Sequence, residues 1–469
     1  MRDFTARKQT RQIELLRTQF AQTDGLAFAE VLPAERIQTT LQEEGAAWRD
    51  CCYTPLLTLW AFLGQVISPD GSCRAAVARV LAWLVSRGEQ PCRPQTHAYC
   101  KARQRLPESL FVRLMRETGR TLHQAALTDW RWRGRRVKLV DGTTVTMPDT
   151  EENQAAYPQQ PQQQPGIGFP IARMVVVFCL ACGSVIDAAL GRYQGKKTGE
   201  NALLRTLDGA FEPGDVLLAD RYFSGYFDIA YWQQLGVDVV TRLHQRRRCD
   251  LRRGRRLGPN DHVVVWTKPP RPDWMDEETY ARMSAQLMVR EVRVRIGVPG
   301  FRTKVMVVVT TLVDDDVYSA RDLAELYRAR WHAELDLRSL KITLGMDVLR
   351  CKTPEMVRKE VWAHLLAYNL IRTLMAQAAN ELGCAPRDLS FKGTLQTMKE
   401  FAERLLDRRS QNRVELHDWL LLAIGAHQVN DRPDRVEPRA RKRRPKQYPR
   451  LTQPRRLARL STKQLGPKF

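Results

Sequence analysis

The chain has 469 residues, 43% hydrophobic and 27% charged, which is room for about three domains at roughly 150 residues each. Its 75 Lys and Arg against 52 Asp and Glu leave a net charge of +23, which excludes an acidic solubility-type protein and favours a polyanionic partner, nucleic acid or an anionic membrane surface. A membrane span is not expected, because the longest apolar run, Met174 to Cys182, has nine residues against the roughly 20 that a bilayer needs.

Arg2, Arg7, Lys8, Arg11 and Arg17 occupy the start of the chain without an apolar stretch, so no secretory signal is expected. The ten cysteines are scattered, a pattern of reduced thiols in a cytosolic protein. Cys179 and Cys182 have CxxC spacing, but no second pair stands nearby to complete a zinc site; they read as buried strand cysteines. None of the eight histidines has paired metal-ligand spacing.

Residues 1–130 read as mostly helical. Pro33 to Leu41 and Pro55 to Gly64 carry helix-spaced apolar positions, each opened by a proline suited to a first turn. Ser72 precedes an apolar helix over Ala75 to Val85 that stops near Gly88. Thr96 to Arg105 holds Lys101, Arg103 and Arg105, equally a DNA grip or a solvated face. Beyond residue 130 the pattern changes. Arg135 to Val140 reads as a strand turned by Asp141-Gly142, and Tyr157 to Pro165 as a Gln/Pro loop. Ile171 to Ala181 and Ser184 to Leu190 suggest a hairpin, Asn201 to Leu207 a helix, Asp215 to Ala219 a buried strand. Phe227 to Leu235 then looks helical and Val237 to Arg242 extended. This alternation predicts an α/β core. Residues 245–310 return to β patterning. Helices are expected over Asp322 to Leu344, Pro354 to Ala379 and Leu416 to Ile424. Residues 431–469 hold 14 basic and three acidic side chains with six prolines, the composition of a basic, largely extended tail.

Two aspartates share one context: Asp141 ends Val137 to Val140, and Asp220 ends Val216 to Ala219. Carboxylates at the carboxyl ends of adjacent buried strands face a common crevice, where they repel each other unless a cation lies between them. A plain turn at Asp141 and a local ion pair at Asp220-Arg221 explain the same residues. The helix after Asp322 adds Tyr327, Arg330, Glu334 and Lys341. At about 100° per residue these fall on one stripe about 60° wide, flanked by Trp331 and Arg338. A salt-bridged surface would account for the charges and leave the aromatics without a reason.

The run Tyr327-x2-Arg330-x3-Glu334-x6-Lys341 resembles the signature of DDE transposases of the bacterial insertion-sequence-four family. Asp141-Gly142-Thr143 and Asp220-Arg221-Tyr222-Phe223 are similar to the settings of that family's two aspartates. Further similarity lies in Ala367 to Arg372 and in the Arg-rich Arg439 to Lys446. The resemblance covers about residues 95–450. It implies an α/β, RNase H-like catalytic core with a mostly β insertion, flanked by helical N- and C-terminal regions. The implied division is 1–130 (helical, DNA-end binding), 131–244 (core, first part), 245–312 (β insertion), 313–385 (core with the catalytic helix) and 386–469 (helical region and basic tail).

In that family Asp141, Asp220 and Glu334 would be the catalytic and metal-binding triad, holding two Mg2+ ions per active site, with Mn2+ as a substitute. Tyr327, Arg330 and Lys341 would hold phosphates of the transferred strand, with Arg221, Trp331 and Arg338 as further DNA contacts. The implied reaction is cut-and-paste cleavage and strand transfer at terminal inverted repeats of double-stranded DNA, in a homodimeric synaptic complex in the bacterial cytoplasm. Where the second strand is cut through a hairpin, Trp266 or Trp274 would stack on a flipped base. Eight arginines between Arg242 and Arg256, against the single acid Asp250, suggest another phosphate contact. Trp130 and Trp132 read as core packing. A catalytically silent DNA-binding protein and a hydrolysis-only nuclease remain the alternatives.

Overall fold

The computed structural model describes residues 32–44, 52–86, 88–295, 305–405, 413–429 and 452–464. Five helices come first: α1 (Ala34–Glu43), α2 (Pro55–Ile67), α3 (Cys73–Ser86), α4 (His97–Arg105) and α5 (Glu108–Ala125). Their starts follow local chemistry. The Thr54 hydroxyl accepts from the Leu57 amide (3.2 Å) ahead of Pro55, and the Ser72 hydroxyl accepts from the Ala75 amide (3.1 Å), so donors left over in the first turn are satisfied.

Next come β1 (Val137–Thr146), α6 (Glu151–Ala156), β2 (Ile171–Cys179), β3 (Val185–Arg192), α7 (Glu200–Arg205), β4 (Val216–Leu218), α8 (Tyr226–Gln234) and β5 (Asp238–Arg242). The chain continues through β6 (Arg255–Gly258), β7 (Asp261–Thr267), α9 (Glu277–Arg282), β8 (Gln286–Arg295) and β9 (Val305–Thr310). It closes with α10 (Ala320–Ala329), α11 (Trp331–Arg338), a π turn over Ser339–Thr343, α12 (Pro354–Leu382), α13 (Phe391–Leu405), α14 (Arg413–Gly425) and α15 (Arg455–Gln464). No helix among the described residues is long and apolar enough to cross a membrane.

The strands form one sheet in the order β3-β2-β1-β4-β5-β9-β8-β7-β6. β1, β2 and β3 run antiparallel, while β4 and β5 lie parallel to β1. This order and sense define an RNase H-like core. Alternation along β1 sends side chains to opposite faces, and each face has its own core. Leu139 and Val145 join Leu114, Leu365 and Ile371 on one side; Val140 joins Leu204, Ile229 and Ala219 on the other. The long helix α12 packs against α2, α5 and α14 and is buried along most of its length, so Val357, Val361, Leu365 and Tyr368 are core. Gly383 ends it in a left-handed conformation (φ 64°) that suits glycine.

Several expectations change. Asp141-Gly142 is not a turn: β1 runs straight through both, pairing Asp141 with Val176 and Gly142 with Val175. The antiparallel ladder with β2 continues through both residues, which overrides the turn propensity of Asp-Gly. The strands of the 245–312 stretch, expected as a mostly β insertion, continue the core sheet, because β9 pairs antiparallel with β5. The helix expected over Asp322 to Leu344 starts earlier, is broken at Arg330 and ends in the π turn. Arg103 does not join an exposed basic patch; it is buried, donating to Gln65 (3.2 Å) and stacked on Phe62 and Tyr99. Part of the tail, α15, is helical, with Arg455 paired to Asp149 (3.0 Å) over the Phe169 ring. Arg439 to Lys446 lies outside the described residues. Cys179 and Cys182 are buried free thiols, and Trp132 stacks on Tyr318.

Candidate active site

β1 and β4 pair in parallel with Leu139 opposite Leu218. Asp141 and Asp220 each lie two residues beyond that pair, and the Asp220 carboxylate acts electrostatically on Asp141. β4 ends at Leu218 and Asp220 turns the chain outward: its carboxylate accepts from the Tyr222 amide (2.7 Å) and caps the short 3-10 turn Arg221–Phe223. The Thr241 hydroxyl donates to the Asp220 carbonyl (2.6 Å), tying the turn to β5. Arg221 and Tyr222 face solvent as a result.

The third acid arrives on the helix pair after β9. Ser319 and Asp322 form a capping box that sets the start of α10. α11 restarts beyond Arg330 and carries Glu334. The Arg330 guanidinium donates to Glu334 Oε1 (2.6 Å) through Nη2, and its Nη1 stands 3.9 Å from Asp141 Oδ2. Arg330 thus lies between two of the three acids. Beyond α11 the π turn carries Lys341, whose Nζ donates to Thr143 Oγ1 (3.2 Å); single π turns inside helices are common at functional sites. Tyr327 is buried, and burial, with Asp220 adding, pushes its phenol up.

Asp141 is the electrostatic centre. Burial pushes its carboxyl up to about 6; Arg330 and the Gly142 amide oppose this, while Asp220 and Glu334 push it further up. The three acids therefore share one field, although their oxygens do not all fall within 4.8 Å of one another. Asp141, Asp220 and Glu334 offer only hard carboxylate oxygens, the donor type that suits Mg2+ or Mn2+. A half-buried carboxyl already under like-charge pressure gains most from a cation. On donor chemistry and charge, the site fits divalent metal.

Two groups of residues escaped the sequence reading. Glu200, at the start of α7, lies with its carboxyl over Gly142: a Cβ there would come within 2.3 Å of Glu200 Cδ. Burial pushes Glu200 up, Arg173 opposes this and Asp220 adds to it, so a fourth acid borders the site. No spacing in Gly195-Lys-Lys-Thr-Gly199-Glu200 announces this. The second group fixes α11. Asp336, buried two residues beyond Glu334, accepts two hydrogen bonds from Arg387 (2.7 Å each) and one from Arg372. Asn369 bridges the Val185 and Met115 backbones. The Ala367 to Arg372 motif is thereby a brace beneath the acid-bearing helix.

The remaining candidates differ in setting. Trp331 is 51% exposed, and Arg338 faces solvent. Trp266 is 4% exposed and donates its indole N–H to Glu291 (3.0 Å). Trp274 is 47% exposed, with Arg205 stacked on its ring at 4.0 Å.

An RNase H-like sheet with acids on β1, just after β4 and on a following helix is the architecture of a DDE-type enzyme acting on phosphodiesters. Residues 132–370 match the family profile described as the transposase DDE domain, and the chain belongs to that family. It is a DDE transposase. It is 28% identical over 430 residues to the transposase InsG of insertion sequence element IS4 from Escherichia coli K12, covering 90% of this chain and 93% of that protein. A shorter match, 43% identical over 65 residues, is to the transposase of insertion sequence element IS421 from Escherichia coli, covering 14% of this chain and 18% of that one. Among solved structures, the piggyBac transposase synaptic complex with hairpin DNA aligns with a TM-score of 0.42 at 10% identity, over 85% of this chain and 84% of that one.

Proposed function

We propose that this transposase binds the inverted repeats at the ends of its insertion sequence and uses Asp141, Asp220 and Glu334 to hold two divalent ions, Mg2+ or in its place Mn2+. The observation that carries the reading is the acidic pocket at β1 and β4, with Arg330 lying between Asp141 and Glu334. When bound, paired divalent ions activate water and stabilise the leaving 3′ oxygen. Arg330 exchanges its carboxylate partner for a DNA phosphate as the transferred strand enters, and this frees Glu334 to turn toward Asp141. Lys341 and Tyr327 line the same crevice and position that strand; Arg221, Arg338 and Trp331 contact DNA at its exposed rim. Trp274 is the tryptophan open to a flipped base if the second strand is cut through a hairpin. Two ends must be cut in concert, which calls for a homodimer in the synaptic complex.

The test is incubation of the purified protein with labelled double-stranded DNA carrying the element's own ends, with and without Mg2+, followed by pre-cut ends with target DNA. The expected result is Mg2+-dependent cleavage and a joined product. Glu334→Gln should abolish cleavage while end binding stays nearly intact. Cleavage by that variant would overturn the triad, and hydrolysis without joining would make the protein a nuclease.

A further inference from the structure

Far from the acidic pocket, three side chains from separate segments converge on the sheet extension. Cys249 lies in the arginine-rich loop after β5, His262 on β7 and Glu291 on β8, and their ligand atoms all fall within 4.8 Å of one another. His262 and Glu291 are register partners across β7 and β8, so they project from the same face. Both are buried, at 1% and 3% of side-chain exposure.

The hydrogen bonds turn two acceptors toward each other. His262 Nδ1 stands 2.6 Å from the Arg253 carbonyl oxygen, which only accepts, so Nδ1 carries a proton. A neutral imidazole has one N–H, and Nε2 therefore turns a lone pair toward Glu291 Oε2 at 3.2 Å and Cys249 Sγ at 3.8 Å. The other Glu291 oxygen accepts from the Trp266 indole (3.0 Å). A carboxylate and an imidazole nitrogen facing each other as acceptors in a buried site are stabilised by a proton or a cation between them; around them, Arg293 and Glu291 hydrogen-bond the Cys249 thiol and Arg247 acts on Glu291. The group between the two acceptors is either a proton or a metal ion.

The spacing favours the metal. Tetrahedral zinc, with Zn–S of about 2.3 Å and Zn–N or Zn–O of about 2.0–2.1 Å, sets its ligands about 3.3–3.6 Å apart, near the two separations above. A zinc-bound histidine also usually donates its second ring N–H to a carbonyl, as His262 does to Arg253. We propose that Cys249, His262 and Glu291 bind a zinc ion, separate from the Mg2+ site, that fastens the arginine-rich loop to the sheet. Zinc replaces the Cys249 thiol proton, which is released to solvent, and a water completes the tetrahedron. The loop is already attached at two further points, the Arg253 carbonyl on His262 and Arg247 stacked on Trp266 at 3.8 Å. Fixing it would give Arg246, Arg248, Arg252 and Arg256 a defined surface for a phosphate backbone. The spacing in sequence hides the site, since its ligands come from a loop and two strands.

The full chain, purified without added metal or chelator and dialysed against Mg2+ buffer, is expected to retain one zinc per chain by mass spectrometry. Replacing it with Co2+ should give the tetrahedral visible spectrum and a thiolate-to-cobalt band that Cys249→Ser removes. Because that variant can misfold, the wild-type protein supplies a second readout. A zinc-selective chelator in excess Mg2+ should speed tryptic cleavage between Arg246 and Arg256 about tenfold, as a locally released loop becomes accessible. Absence of zinc together with absence of a cobalt spectrum in folded protein would overturn the proposal in favour of a protonated His262–Glu291 pair. An unchanged thiolate band in Cys249→Ser, or proteolysis indifferent to the chelator, would overturn it as well.

Discussion

Asp141→Asn should make the metal-free protein more stable while removing its activity. The Asp141 carboxyl is raised from its ordinary 3.8 to about 6, first by burial and then by Asp220 and Glu334, against the pull of Arg330. It holds its proton more tightly in the folded chain than in the unfolded one. Its contribution is therefore fully present below about pH 4 and is lost as pH rises through about 6, leaving an ionised and disfavoured carboxylate at neutral pH. At about 1.4 kcal/mol for each tenfold change in proton affinity, the cost is on the order of 3 kcal/mol. Asparagine has nearly the same shape without the charge. With an unfolding entropy near 2.1 cal/mol/K per residue, the gain corresponds to about 3 °C in Tm for a chain of this size unfolding as one unit. The assay is thermal unfolding of both proteins in EDTA at pH 7.5 and pH 4. The gain should appear at pH 7.5 and fade at pH 4, where wild-type Asp141 is protonated, and Mg2+ should raise the Tm of the wild type more than that of the variant. No gain at neutral pH, or an equal gain at both pH values, would refute the argument from buried charge.

Binding of the element's ends should weaken steeply with salt, because each phosphate neutralised by Lys or Arg releases counterions, and six to ten such contacts cost about 10³–10⁵ in affinity between 50 and 200 mM; a shallow slope in a gel-shift titration would contradict a role for the +23 charge. Glu200→Gln should raise the Mg2+ concentration needed for half-maximal cleavage about tenfold, as loss of a group supporting a metal site does, with end binding unaltered; an unchanged Mg2+ requirement would exclude Glu200 from the site.

How much of this was legible in the sequence depends on how local each cause is. Hairpin β2–β3, strands β4 and β5 and helix α12 follow from alternation or helical spacing within one segment. Asp141-Gly142 misled because its turn propensity is local, whereas its pairing with β2 is not. The β stretch 245–312 was legible as strands, but its junction with β5 through β9 is a long-range pairing that no spacing records. Asp220 and Glu334 stand out because they sit in fixed spacing with aromatic and basic neighbours. Glu200 meets Gly142 only through the packing of α7 on the sheet, and Cys249, His262 and Glu291 meet only through register. Asp336 has no motif of its own, and its partners Arg372 and Arg387 lie 36 and 51 residues further along the chain.

The central claim is that Asp141 and Asp220 hold the ions that cut DNA, and replacement of each by cysteine tests it most directly. A thiolate is a poor ligand for Mg2+ and a better one for softer ions. Asp141→Cys and Asp220→Cys should therefore be inactive on the element's ends in Mg2+ and recover cleavage in Mn2+ or Cd2+. Full cleavage by either variant in Mg2+ would contradict the account.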